Sequence, residues 1–333
     1  MTLTAVDLFS GAGGLSLGLR QAGWKVEAAV ENDMQAMATH KANFAGVEHL
    51  CGDVRTVDFR AFGGIDLIAG GPPCQPFSVS GKRLGSTDQR DMVPEFVRAI
   101  REARPRAFLM ENVPGLAMTR FDSYLLEQLS RLETLGYTVF KKVLLAADYG
   151  VAQNRRRLFL VGIRSDQKGR SFDFPTATHG PSTRRRYRTV AETLKGTPSD
   201  VANRAKVVFC KNPVLRRSPF AGMMFNGKGR PLDLEGLGHT VPASAGGNRT
   251  HIVDPHGLVR EYHAHLLAGK KPRVGHMEGV RRLTVRESAR LQSFPDHFDF
   301  LGRQSSRYSQ VGNAVPPKLA EVVAQRISEV LIG

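Results

Sequence analysis

Cysteine is nearly absent from this chain: Cys51, Cys74 and Cys210 are the only three in 333 residues. None belongs to a C-x-x-C pair, so neither a disulfide framework nor a zinc site is expected, and a reducing compartment is. No metal is expected elsewhere. No apolar run approaches the about 20 residues of a membrane-spanning helix, and the first residues show no basic segment followed by an apolar block. A membrane partner and a signal peptide are therefore not expected. Acidic residues are scarce in one region. From Arg164 to Arg303 there are 25 Lys/Arg against 12 Asp/Glu, whereas the rest of the chain carries 22 against 19, within a net charge of +16. A basic segment beside a near-neutral one suggests a polyanionic partner, most often nucleic acid. Neither internal repeats nor low-complexity tracts occur, and 41% hydrophobic content supports a sizeable core.

What is there alternates. Residues 4–9 read as a buried strand, followed by the turn Ser10-Gly11-Ala12-Gly13-Gly14 and a helix ending near Gly23. A strand over 24–30 and a helix over 34–43 follow, then a short strand at His49-Leu50. Ile65–Ala69 reads as a strand, 91–103 as an amphipathic helix and Ala107–Met110 as a strand. A helix over 124–135 precedes strands at 138–145 and 157–163. Such alternation implies βαβ units and a mostly parallel α/β sheet. From Ser171 to Gly279 the periodicity breaks down among Gly, Pro, His and Arg, which predicts a second, smaller, irregular domain. Regular signals return at Leu283–Leu291, with Thr284 and Glu287 spaced as a capping box. The chain closes on an apolar-striped helix over Pro317–Ile332, entered from a turn at Gln310–Pro317.

Several stretches carry chemistry. In Gly70-Gly71-Pro72-Pro73-Cys74-Gln75-Pro76-Phe77-Ser78 the glycines and prolines exclude helix and describe a stiff loop hung on a strand end. Open α/β sheets place their chemistry at such carboxyl ends. Phe9-Ser-Gly11-Ala-Gly13-Gly14 is a glycine turn between the first strand and first helix, where backbone N–H groups face a ligand. Glu31 closes the second strand, 20 residues after Gly11, placed to accept from ribose hydroxyls; Asp53 follows the third, placed to accept from an adenine amino group. Position 16 is serine, which departs from G-x-G-x-x-G, so a smaller adenosine cofactor fits better than a dinucleotide. Glu111 ends another strand on the same rim as Cys74, an arrangement suited to an acid beside a nucleophile. In Gln153-Asn154-Arg155-Arg156-Arg157, strand alternation should send Arg155 and Arg157 to one side, where two guanidinium groups grip phosphate or a base carbonyl.

The succession D-L-F-S-G-A-G-G, G-P-P-C-Q-P-F-S, E-N-V, Q-N-R-R-R, R-R-L-T-V-R-E-S-A-R-L-Q-S-F-P-D and Q-V-G-N-A-V-P-P resembles the DNA (cytosine-5)-methyltransferase family. The match spans 4–165 and 281–330 and leaves about 166–280 as a variable target-recognition region. The resemblance implies a Rossmann-like S-adenosylmethionine-dependent methyltransferase sheet. Its catalytic domain would be discontinuous, over 1–170 and 305–333, with recognition over 171–304. Phe9, Gly11, Gly13, Glu31, Asp53 and Asn313 would hold S-adenosylmethionine, with Phe9 stacked on it. Cys74 would add as thiolate to C6 of a flipped cytosine, Glu111 would hold and protonate N3, Arg157 would bond O2, and Arg155 would support the loop or the developing charge. Pro73, Gln75, Asn112 and Thr240 would lie against the substrate, Thr240 within the Gly238–Ala243 stretch. Arg184–Arg186 and Lys270-Lys271 would touch phosphate. The family often has proline where this chain has Ala152, which alters a loop entry and leaves the arginines in place.

The partners implied are double-stranded DNA and a cognate restriction endonuclease encoded nearby; a cytoplasmic, nucleoid-associated monomer is expected. A tRNA cytosine-5 methyltransferase is the nearest alternative, although the large basic middle region favours DNA. A catalytically idle DNA-binding regulator is disfavoured by the presence of Cys74, Glu111, Arg155 and Arg157 together. A nicotinamide dehydrogenase is weakest, because of Ser16.

Overall fold

A computed structural model describes residues 2–73, 91–167 and 171–333. They form two compact units, the first Met1–Tyr149, Arg156–Ala177 and Ala314–Gly333, the second Gly150–Arg155 and Thr178–Asn313. Cys74 and Gln75 lie outside the described residues.

The strands in chain order begin with β1 (Thr4–Leu8), β2 (Lys25–Glu31), β3 (Glu48–Cys51), β4 (Leu67–Gly70), β5 (Ala107–Asn112), β6 (Tyr137–Leu145), the two-residue β7 (Gln153–Asn154) and β8 (Arg156–Arg164). All but β7 build the first unit's seven-stranded sheet, ordered β3-β2-β1-β4-β5-β8-β6. Neighbours from β3 to β5 run parallel, and β8 runs antiparallel to both β5 and β6. The central β4 and β5 are buried along their whole length, as strands covered on both faces must be. The helices α1 (Gly14–Gln21), α2 (Met34–Asn43), α3 (Val93–Ala103) and α4 (Asp122–Thr134) connect them. Val93, Phe96, Val97 and Ile100 of α3 join Val6, Leu8, Ile68 and Phe108 in one apolar cluster, each full burial worth about 1.5–3 kcal/mol.

The second unit has little regular structure. Its strands are β9 (Phe209–Val214), β10 (Met223–Phe225), β11 (Gly238–His239), β12 (Ile252–Val253) and β13 (Arg281–Arg282), paired as β9–β10, β7–β11 and β12–β13. Its helices are α5 (Val190–Leu194), α6 (Leu258–Leu267), α7 (Val285–Leu291) and α8 (Gln304–Asn313). Val207, Met224, Phe225, Ile252, Val259 and Tyr262 form its core. The capping box expected at Thr284 is present: Glu287 N donates to Thr284 Oγ1 at 3.1 Å and Thr284 N to Glu287 Oε2 at 2.8 Å. The turn expected from Gln310 is instead the last turn of α8. The sequence Gln-Val-Gly-Asn is poor in helix formers, and tertiary packing overrides it: a Cβ on Gly312 would sit 2.1 Å from Pro242 O.

The final helix, α9 (Pro317–Ile332), returns to the first unit. It packs on α1 so closely that a Cβ on Gly18 would lie 2.4 Å from Ala320 Cβ, and Trp24 Nε1 donates to Ala324 O at 3.2 Å.

Candidate active site

The carboxyl ends of β1, β2, β4 and β5 make one rim of the first unit's sheet. Phe9 follows β1 with φ 58°, in the left-handed region that non-glycine residues rarely occupy; such strain concentrates at ligand clamps. Gly11 and Gly13 have φ 55° and 97°, conformations that only glycine adopts without penalty. A Cβ on Gly11 would meet nothing within 4 Å, so the turn faces open space there, whereas one on Gly13 would lie 2.3 Å from the Phe44 ring. Glu31 spans the turn: Gly11 N donates to its Oε2 and Asp33 N to its Oε1, both at 2.8 Å. Each oxygen keeps a second lone pair. An open glycine turn beside a fixed carboxylate fits a ribose and its adenosine. Asp53 caps the turn after β3 and is paired with Arg55, whose hydrogen bonds hold its carboxyl down at about 2.

Beneath the turn lies a polar chain. Ser16 Oγ donates to Asp7 Oδ2 at 2.6 Å, His40 Nε2 lies 3.0 Å from Ser16 Oγ, and His40 Nδ1 lies 2.9 Å from His49 Nε2. Burial holds His40 neutral, its pKa down at about 3. The ring therefore donates from Nε2 to Ser16 and accepts at Nδ1 from His49. Burial raises the Asp7 carboxyl to about 7. Ser16, the residue that breaks the dinucleotide glycine pattern, is thus the link between β1 and α2. Nothing in the sequence signals this chain beyond the acid before the turn.

At the end of β5, Glu111 Oε1 meets Arg157 Nε at 2.8 Å, with the two side chains 11% and 15% exposed. Antiparallel β8 makes this possible, because its first residues run beside the last of β5, with Leu158 opposite Asn112 and Phe159 opposite Glu111. Asn112 Nδ2 donates to Pro72 O at 3.1 Å, and Met92 N to Pro73 O at 3.1 Å. A Cβ on Gly71 would stand 3.3 Å from Glu111 Oε2. The loop after β4 is therefore held close against the end of β5 at Gly71 and Pro72, and Pro73 is tied to Met92 ahead of α3.

Arg155 is not the strand-mate of Arg157 that alternation predicts. It sits between β7 and β8, outside either strand, so the two-residue period does not run through it. Its guanidinium is buried in the second unit and donates to Val241 O at 3.0 Å and Gly312 O at 2.9 Å. Gln153 beside it accepts from Val241 N at 3.0 Å and donates to Leu291 O at 3.0 Å. Thr240 donates to Asn154 O at 2.7 Å, and His251 Nε2 donates to Thr240 O at 3.1 Å. Burial keeps His251 neutral, its pKa down at about 4. Gln153, Arg155 and His251 thus fix the backbone of Thr240-Val241. Asn313 is the exposed last residue of α8. The sequence reading missed Gln153 and His251; the glutamine ahead of the arginines was the one available signal.

The order of the sheet, the glycine turn answered by an acid at the end of β2, and the carboxylate–guanidinium pair at the end of β5 define an α/β S-adenosylmethionine-dependent methyltransferase. The family description "C-5 cytosine-specific DNA methylase" matches residues 3–329. The chain is 34% identical over 331 residues to the Type II methyltransferase M.NgoMIV of Neisseria gonorrhoeae, covering 99% of each. Among solved structures, a DNA modification methyltransferase encoded within an E. coli prophage aligns over 100% of both chains at 26% identity and TM-score 0.71. Spodoptera frugiperda DNMT2 aligns over 100% of both at 18% identity and TM-score 0.73, a likeness of fold. The chain belongs to the C-5 cytosine-specific DNA methylases. It is a DNA (cytosine-5)-methyltransferase, and S-adenosylmethionine is its methyl donor.

Proposed function

We propose that this enzyme methylates C5 of a cytosine flipped out of a specific duplex DNA sequence, with Cys74 as nucleophile and the second unit as the element of target recognition. The observation that carries the reading is the mostly buried Glu111–Arg157 pair on the rim beside the Gly70–Pro73 loop, the loop that leads into Cys74. A base in the stack cannot present C6 to a thiol, so the cytosine leaves the duplex. The Cys74 thiolate forms a bond to C6, and the C5–C6 π electrons move to C5. Arg157 donates to O2 while Glu111 holds the proton at N3, which disperses the charge that addition places on the ring. S-adenosylmethionine, when bound, supplies an electrophilic methyl group on a positively charged sulfur. Gly11, Gly13 and Glu31 bind and orient its adenosine, with Phe9 stacked on it and Asp53 completing the first unit's part of the site. Once the C5 electron pair has formed the bond to that methyl group, the C5 proton leaves to a base and the S–C6 bond breaks, which restores the C5–C6 double bond and the thiolate. Pro73, Gln75 and Asn112 hold the base. Arg155 acts as a positioning residue through Val241 and Gly312. Thr240 lies toward the DNA.

Bisulfite sequencing of plasmid DNA from cells expressing the protein tests this directly, with purified tRNA as the competing substrate. Protected cytosines within one short sequence are expected. No protected cytosine, or methyl transfer to tRNA alone, defeats the reading, and full methylation by Cys74→Ser defeats the mechanism. As in a restriction–modification pair, we infer a cognate endonuclease of the same specificity, and a monomer acting on DNA in the cytoplasm.

A further inference from the structure

Between Asp200 and Asp233 the chain has no acidic residue and seven Lys/Arg. This acid-free stretch includes the β9–β10 hairpin. Its inner end is packed: Phe209 pairs with Phe225 across the strands, and both contact Tyr262, at ring-centroid distances of 4.7 and 5.8 Å. Its outer end is open. Val214 and Met223, opposite each other, are both 49% exposed. The turn beyond them carries Arg216 and Arg217, and β9 carries Lys211, all exposed and without an ion-pair partner among the described residues. The turn is nevertheless fixed from beneath. His263 Nε2 donates to Arg216 O at 2.8 Å, His239 Nε2 donates to Phe220 O at 2.8 Å, and the Arg260 guanidinium covers the Phe220 ring at 4.7 Å. A Cβ on Gly222 would lie 2.4 Å from Val214 O, so the two strands meet tightly where the turn begins. His239 immediately precedes Thr240, so the turn is tied to the segment that Arg155 and His251 hold.

A two-stranded ribbon with an apolar pair and two unneutralised guanidinium groups at a rigid tip matches one ligand. The major groove of duplex DNA, about 12 Å wide, admits a two-stranded ribbon, and a guanine there offers O6 and N7 to a bidentate arginine. Apolar side chains meet the C5-methyl group of thymine, and the charge suits the phosphates on either side. We infer that the β9–β10 ribbon enters the major groove of the target duplex and that Arg216 and Arg217 read guanine there, with Val214 and Met223 against a pyrimidine C5 edge. The inference rests on the DNA-methylating function proposed above and adds to it which element reads sequence and that the site contains guanine at the positions read.

The test uses the full-length protein on a pool of duplexes that vary each base pair of the wild-type site, with methylation read by bisulfite sequencing and binding by its salt dependence. Arg216→Lys and Arg217→Lys keep the charge and lose the fork. At least one of them is expected to relax the preference for guanine at one position by roughly tenfold to a hundredfold, with an unchanged salt slope. Arg216→Ala and Arg217→Ala should relax the same position. Lysine variants as selective as wild type, or alanine variants that weaken all sequences equally while lowering the salt slope, make the ribbon a phosphate contact and overturn the inference. A wild-type protein that methylates no duplex overturns the proposed function itself, an outcome distinct from selective methylation by unaltered variants.

Discussion

Glu111 and Arg157 each depend on the other's charge. Both side chains are mostly buried, and removing one leaves the other uncompensated, a situation that costs about 3–5 kcal/mol where burial is complete and less here. Arg157→Ala is expected to lower both the melting temperature and turnover. Glu111→Gln keeps the shape and a neutral partner, so it should remain folded while single-turnover methyl transfer falls by about 10²-fold or more; a Glu111→Gln enzyme of wild-type rate would remove Glu111 from the chemistry. Asp7 makes a separate prediction. Its carboxyl is raised from 3.8 to about 7 by burial, so between those values the folded state binds a proton that the unfolded chain has released. That contribution is fully present below pH 3.8 and is lost as pH rises through 7. Asp7→Asn should therefore lose less stability than wild type between pH 5 and 8, with melting temperature against pH as the measurement. Parallel curves for the two proteins would show that Asp7 does not titrate there. The place of Glu111 at a strand end was readable because the apolar run Ala107–Met110 leads straight into it. Asp7, Ser16 and His40 were not readable as a unit, since 24 residues separate Ser16 from His40.

Elements decide where such residues point. Arginine alternation placed Arg155 beside Arg157, but the strand begins at Arg156, and Arg155 turns into the second unit to hold Val241 and Gly312. Two charge-assisted bonds to backbone, each worth about 1.5–3 kcal/mol, make Arg155 a structural tie. Arg155→Lys reaches fewer acceptors and should raise KM for DNA more than it lowers kcat at saturating DNA; a pure kcat loss would argue for direct contact with the reacting base. Gly312 tests the same tie from the other side. Gly312→Ala drives a methyl against Pro242 O, so the Pro242–Ala243 backbone must shift and DNA affinity should fall. Calorimetric titration with duplex DNA measures the loss, and an affinity equal to wild type would remove Gly312 from the tie. The helix and strand spans of the first unit were legible because their apolar periods are long. Those of the second unit were not, since two- and three-residue strands carry no period.

At the scale of the whole chain, positive charge is concentrated where regular structure is scarce. Counterion release then governs affinity: with six or more phosphate contacts, binding should fall about 10³-fold or more between 50 and 200 mM salt. A nearly flat salt dependence would speak against a phosphate-lined interface. The sequence by itself determined the α/β sheet, the family and the glycine turn with Glu31, because short-range backbone chemistry and strand-end position specify them. Tertiary structure alone decided the partners of the arginines, the helical ending at Gln310–Asn313, the Asp7–Ser16–His40 chain and the anchored β9–β10 ribbon. Each of these depends on contacts between groups separated in sequence, and no local period or spacing records such a contact.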